Sequence, residues 1–103
     1  MSLISPIPVR LKEARTRKEL TQQQLGELLG LEPNNASARM NQYERGKHTP
    51  DFDTLKRLAD ILEVPVAYFY CEDKLEAAIV EAVHRLGPEQ KLALLAFIET
   101  LKS

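Results

Sequence analysis

A chain of 103 residues is long enough for one compact domain and short of the length at which a second is expected. Its 44% apolar and 28% charged residues belong to an ordinary soluble fold; no apolar run approaches the ~20 residues that span a bilayer, and the single cysteine excludes an intrachain disulfide and, with two histidines, falls short of a structural zinc set. The formal net charge of −1 hides an asymmetry: residues 1–57 hold ten Lys/Arg against seven Asp/Glu, net +3, and residues 58–103 hold four against eight, net −4, so the first half can offer a basic face to a polyanion.

Met1 to Pro8, with prolines at 6 and 8, reads as a short flexible lead. It has neither the basic start nor the apolar stretch of a signal peptide, so a cytoplasmic protein is expected. Pro8 suits the first turn of a helix that runs to about Lys18, with Leu11 and Ala14 inward. Thr21 and Gln24 have the form of a capping box. Leu25, Leu28 and Leu29 then give helical spacing until Gly30 stops the second helix.

Leu31 to Asn35 reads as a turn, broken by Pro33, with Asn34 or Asn35 capping the next helix. That third helix covers about Ala36 to Arg45, with Ala36, Met40 and Tyr43 on one narrow arc, and Gly46 ends it. A fourth runs from near Phe52 to Leu62 behind Asp51 as cap, with Leu55, Leu58, Ala59 and Leu62 inward. A short fifth lies near Pro65 to Tyr70 and carries Val66 and Phe69. Two more are expected over about Asp73 to Leu86 and Glu89 to Leu101, divided by Gly87-Pro88. Cys71 reads as a reactive thiol or as a small half-buried hydrophobe.

The third helix has an unusual outer face: Ser37, Ala38, Arg39, Asn41, Gln42 and Arg45, with no acid before Glu44. Ordinary exposed helices mix both signs. Arginine pairs with guanine, and asparagine or glutamine with adenine, along base edges of the major groove. The other reading of this face is a solvated surface that happens to lack acids.

Arg15, Thr21-Gln22, Leu25-Gly26, Leu28-Leu29-Gly30, Met40, Tyr43-Glu44-Arg45-Gly46, Pro50, Leu55, Leu58-Ala59, Leu62 and Val64 together resemble the Cro/phage-repressor class of helix-turn-helix proteins, also called XRE-like, over about Arg10 to Tyr70. The resemblance implies a five-helix DNA-binding domain over residues 9–70; with the two C-terminal helices read above over residues 71–103, which lie outside the resemblance, the expected fold is all-α. The resemblance also implies a sequence-specific regulator of transcription, a repressor in the first instance, that reads duplex DNA with its third helix. Ser37, Ala38, Arg39, Asn41 and Gln42 fall where such proteins reach base edges, with most weight on Arg39, Asn41 and Gln42. Gln22 and Gln23 open the second helix, where N–H groups and the dipole favour a phosphate. Arg45, Lys47, His48 and Thr49 run beside the backbone and position without reading. Arg10, Arg17, Lys56 and Arg57 add long-range attraction only. The resemblance makes Arg15 and Glu44 a buried ion pair between helices one and three.

Gly26 stands where such proteins usually carry alanine, at a close helix crossing. The stretch from Gly30 to Glu44 is longer than theirs, the extra residues lying in or near Glu32-Pro33-Asn34-Asn35.

The last helix is apolar over more than one stripe. Leu94, Leu95, Phe97, Ile98 and Leu101 form either a homodimer interface or a cover for the chain's own core. A dimer would place two third helices on half-sites ~34 Å apart in a pseudo-palindromic operator. No catalytic set, cofactor, metal or small-molecule site is expected. The rival reading is a protein-interaction module, such as an antitoxin or adaptor, on the same scaffold.

Overall fold

The computed structural model describes residues 4–102. Six α-helices and one 3₁₀ helix follow in order, with no strand among the described residues: α1 Ile7–Arg17, α2 Gln22–Leu28, α3 Pro33–Glu44, α4 Phe52–Leu62, the 3₁₀ helix Val66–Tyr70, α5 Lys74–His84 and α6 Pro88–Leu101. The all-α expectation of five short helices and two more is met, the fifth being 3₁₀. No described helix is long and apolar enough to cross a membrane.

Local chemistry accounts for most boundaries. Thr21 accepts from the Gln24 N–H at 3.0 Å, while the Gln24 side chain accepts from the Thr21 N–H at 2.8 Å, which satisfies two donors left over at the start of α2. Asp51 accepts from the Thr54 N–H at 2.8 Å and starts α4. That bond holds the Asp51 carboxyl below its ordinary range. Gly30 turns the chain out of α2 at φ +99, a region open to glycine at little cost.

Two boundaries differ from expectation. Helix α1 begins at Ile7, inside the expected lead: the Ser5 hydroxyl accepts the Ile7 N–H at 3.2 Å and Ile7 itself is buried. Pro8 fits the first turn because the N–H it lacks has no partner there anyway. Of the rest of that lead, residues 1–3 lie outside the described residues. Helix α3 begins at Pro33, not Ala36, with Glu32 as N-cap in place of Asn34 or Asn35. Proline's fixed φ and missing donor suit the first helical position, so the residues expected to form a turn add one turn to the helix.

Leu11, Leu25, Met40, Leu55, Leu58, Leu62, Tyr68 and Phe69 fill one core between α1 and the 3₁₀ helix. Arg10 and Arg17, expected at the surface, tie this core to the chain beyond it. Arg10 Nε donates to the Cys71 carbonyl at 2.9 Å, and its Nη1 pairs with Glu13 at 2.5 Å. The Arg17 guanidinium lies 5.5 Å from the Tyr68 ring centre and donates to its hydroxyl at 2.9 Å; that hydroxyl donates to Glu13 at 3.0 Å. Arg57 donates to the Leu29 carbonyl at the end of α2. Cys71 is half-buried and its thiol donates to the Ala67 carbonyl at 3.4 Å.

Helix α5 joins the core through Ala77, and α6 buries no residue at all. The molecule is 53 Å long, and its radius of gyration of 15.4 Å exceeds the ~13 Å of a compact chain this size.

Candidate nucleic-acid interface

Helices α2 and α3 cross almost in contact. A Cβ placed on Gly26 would lie 2.6 Å from Ala36 Cβ and 2.8 Å from the Ala36 carbonyl oxygen. Ala36 is fully buried there. The crossing therefore fixes the first turn of α3 against α2 without a side chain between them. Gln23 adds a second tie: its Nε2 donates to the Pro33 carbonyl at 2.8 Å and to Glu27 at 2.6 Å.

At about 100° per residue, Asn34, Ala38, Asn41 and Arg45 lie in one row opposite the buried Ala36, Met40 and Tyr43. Gln42 and Asn35 lie beside that row, with Ser37 and Arg39 on opposite flanks. Ser37, Ala38, Arg39, Asn34, Asn35 and Arg45 are exposed, while Asn41 and Gln42 are half-buried. From Asn34 to Arg45 the row is about 16 Å long at 1.5 Å per residue. Asn34 and Asn35 are not among the residues expected to reach DNA, because the sequence suggests a turn there; Pro33 directly before them is the signal that places them on the helix.

Glu44 is the one acid inside α3, and it is turned inward. Its side chain is 3% exposed; Arg15 reaches it through Nε at 2.5 Å and Nη2 at 3.1 Å, and Arg15 Nη1 donates to the Leu20 carbonyl at 2.7 Å. A two-point guanidinium–carboxylate pair of this kind meets the hydrogen-bonding needs of both partners. It also removes the negative charge from the outer face. Gln22 Nε2 donates to Glu44 Oε1 at 3.0 Å and to Asn41 Oδ1 at 3.3 Å. The side-chain donors of Gln22 and Gln23 are thus engaged within the protein, and their main-chain N–H groups at the start of α2 remain for a phosphate.

Beyond α3, Gly46 at φ +75 reverses the chain, and the Lys47 N–H returns to the Gln42 carbonyl at 2.9 Å. Arg45, Lys47, His48 and Thr49 are all exposed in this short loop, where a helix C-terminus favours cations. No group of three potential metal ligands occurs among the described residues.

At the opposite end of the chain, Leu94, Leu95 and Ile98 face Ile79, Val80 and Val83 of α5 across an apolar groove of about 380 Å³. Leu94 is half-buried there; Phe97 and Leu101 are 59% and 66% exposed. Neither helix of this pair covers the other completely, and α6 does not cover the core.

Comparison with known proteins agrees with this geometry. The helix-turn-helix family model matches residues 11–69. The HTH-type transcriptional regulator ImmR of Bacillus subtilis (strain 168) is 35% identical, the match covering 81% of this chain and 69% of that protein. An uncharacterized HTH-type transcriptional regulator of the same organism, YqaE, is 38% identical, with 81% and 70% covered. The crystal structure of the transcriptional regulator BswR superimposes with a TM-score of 0.85 at 47% identity, over 90% of this chain and 92% of that one.

Proposed function

The chain belongs to the helix-turn-helix family of DNA-binding transcriptional regulators, and from that premise we propose that it is a repressor that binds a pseudo-palindromic operator as a homodimer. The observation that carries the reading is the acid-free outer row of α3, one turn longer than the sequence suggests. The N-terminal part of such a helix contacts base edges in the major groove. Arg39, Asn41 and Gln42 read bases, with Ser37 and Ala38 beside them and Asn34 extending the row. Arg45, Lys47, His48, Thr49 and the first N–H groups of α2 hold phosphates.

A second copy of the chain is the occupant of the α6 face. Leu92, Leu95, Phe97, Ile98 and Leu101 are all exposed on one helix, and apolar side chains left in solvent in this number support an interaction site. The net charge of −4 over residues 58–103 keeps this region off the polyanion. A twofold pairing there supplies two reading helices for two half-sites. In this reading, a dimer seated on its operator represses by excluding other proteins from the same grooves. The expected setting is the cytoplasm.

Salt titration on duplex DNA tests the reading. Affinity should fall with a log–log slope of about −0.9 per phosphate contacted. Arg39→Ala should cost ~1–3 kcal/mol on the preferred sequence and little on random duplex, whereas Lys47→Ala should weaken both alike. Equal losses for Arg39→Ala on both duplexes would contradict its assignment. A binding constant insensitive to salt would contradict the whole reading.

A further inference from the structure

Helix α1 carries two arginine ties on the path from the reading helix to the C-terminal arm. Near its C-terminus, Arg15 holds Glu44 of α3. About one and a half turns earlier, Arg10 holds the chain that leaves the 3₁₀ helix for α5. Residues 71–73 form this joint, with extended backbone at Cys71 and at Asp73, the N-cap of α5. Arg10 is 5% exposed. Its Nε donates to the Cys71 carbonyl at 2.9 Å and its Nη2 to the Glu72 carbonyl at 3.4 Å, while Nη1 pairs with Glu13 at 2.5 Å. Glu13 in turn accepts from the Tyr68 hydroxyl at 3.0 Å, which ties the clamp to the 3₁₀ helix on the near side of the joint. One planar guanidinium thus fixes two successive peptide groups against α1. Past the joint, Ala77 is the one fully buried residue of α5, Val80 packs in part and α6 buries nothing. The direction of the arm is therefore set close to the joint.

We propose that Arg10 is a positioning residue for operator geometry: by clamping the joint to α1 it fixes the dimerising arm relative to α3, and so sets the half-site spacing that the protein accepts. The proposal rests on the homodimer reading and specifies it. In a twofold dimer joined through α6, the distance between the two reading helices depends on the angle at which each arm leaves its domain. At half the 53 Å molecular length, a swing of about 10° moves the far end by about 5 Å, more than one base-pair step of ~3.4 Å. A loose joint serves several spacings, and a clamped joint serves one. Arginine suits this task better than lysine, because its rigid fork holds several acceptors at once and an ammonium on a flexible stem is a point charge. Arg10 is buried on α1 and takes no part in the outer row of α3, so its effect falls on spacing and not on half-site sequence.

The test takes the half-site pair that the unaltered chain enriches from a random duplex pool and builds it at the preferred spacing and with one or two base pairs added or removed. Affinities are compared for the full chain and its Arg10→Met and Arg10→Lys variants. Arg10→Met keeps an apolar stem and removes the clamp. Arg10→Lys keeps a cation beside Glu13 without the fork, and it decides the question should Arg10→Met not fold. Both variants should lower the preference for the best spacing over its neighbours by about fivefold or more, the weight of roughly one hydrogen bond. Affinity for a single half-site should change little. A smaller folded fraction weakens every spacing alike and leaves the ratio unchanged, so the ratio separates positioning from stability. An unchanged ratio in either folded variant, or an even loss over all spacings, would overturn the role of Arg10 while leaving the homodimer reading intact. No enriched pair, no spacing preference, or a monomer in sedimentation with the unaltered chain would instead overturn the homodimer reading, and the clamp with it.

Discussion

Between Ile7 and Phe69 most large apolar side chains turn inward, and even Arg10 and Glu44 have partners there; from Leu75 to Leu101 only Ala77 is fully buried, and Leu92, Leu95, Phe97 and Leu101 stand in the open. The first region is complete in one copy of the chain. Its buried and half-buried polar side chains, such as Arg15, Glu44 and Gln22, are engaged with one another, so the outer row of α3 is held at a fixed angle. Apart from Ala77 and Val80, the second region holds its apolar surface outside the core of the first. The contrast matches the two tasks proposed for the chain: a rigid reading surface needs internal closure, and an assembly surface needs apolar area left uncovered.

Substitutions should respect that division, and the largest effect belongs to the closed region. Arg15→Ala leaves Glu44 buried without its counter-charge, which should cost about 3–5 kcal/mol in denaturant unfolding. A loss below ~1 kcal/mol would mean that the pair is far more hydrated than its burial indicates. Gly26→Ala should destabilise by ~1–3 kcal/mol through crowding against Ala36. This reverses the gain that replacing a helical glycine usually brings, and a measured gain would mean that the α2–α3 crossing is loose.

Tyr68→Phe should cost about 1 kcal/mol, since Glu13 and Arg17 each lose a hydrogen bond. Burial raises the Tyr68 pKa above the ordinary tyrosine value. Its contribution is therefore complete below about pH 10 and is lost as pH rises through the higher folded value. Melting curves of the variant should lack that part of the alkaline decline. The smallest effect on intrinsic stability falls in the open region: Phe97→Ala should stay within ~0.5 kcal/mol while sedimentation shifts toward monomer. A large loss of stability with an unchanged sedimenting species would erase the contrast between the regions.

Features set by neighbouring residues are legible in the sequence. Thr21 with Gln24, Gly30, and Asp51 act within one turn of themselves, and each sits where its chemistry predicts. Pro33 is ambiguous because proline both breaks a helix and begins one, and two asparagines after it favour the turn. Arg10 and Arg17 read as surface charge because their partners, Cys71 and Tyr68, lie more than fifty residues away. The orientation of the Asn41 amide is beyond sequence reading for the same reason, as it depends on a carboxylate from α3 and an amide from α2 meeting in space.

Selection of tight binders from a random duplex pool by the unaltered protein tests the central claim most directly. The account predicts a shared motif with twofold symmetry and half-sites ~34 Å apart, its key positions lost with Arg39→Ala or Asn41→Ala. Retention of duplexes with no common sequence, or a motif indifferent to both substitutions, would contradict the claim that the outer row of α3 reads the groove.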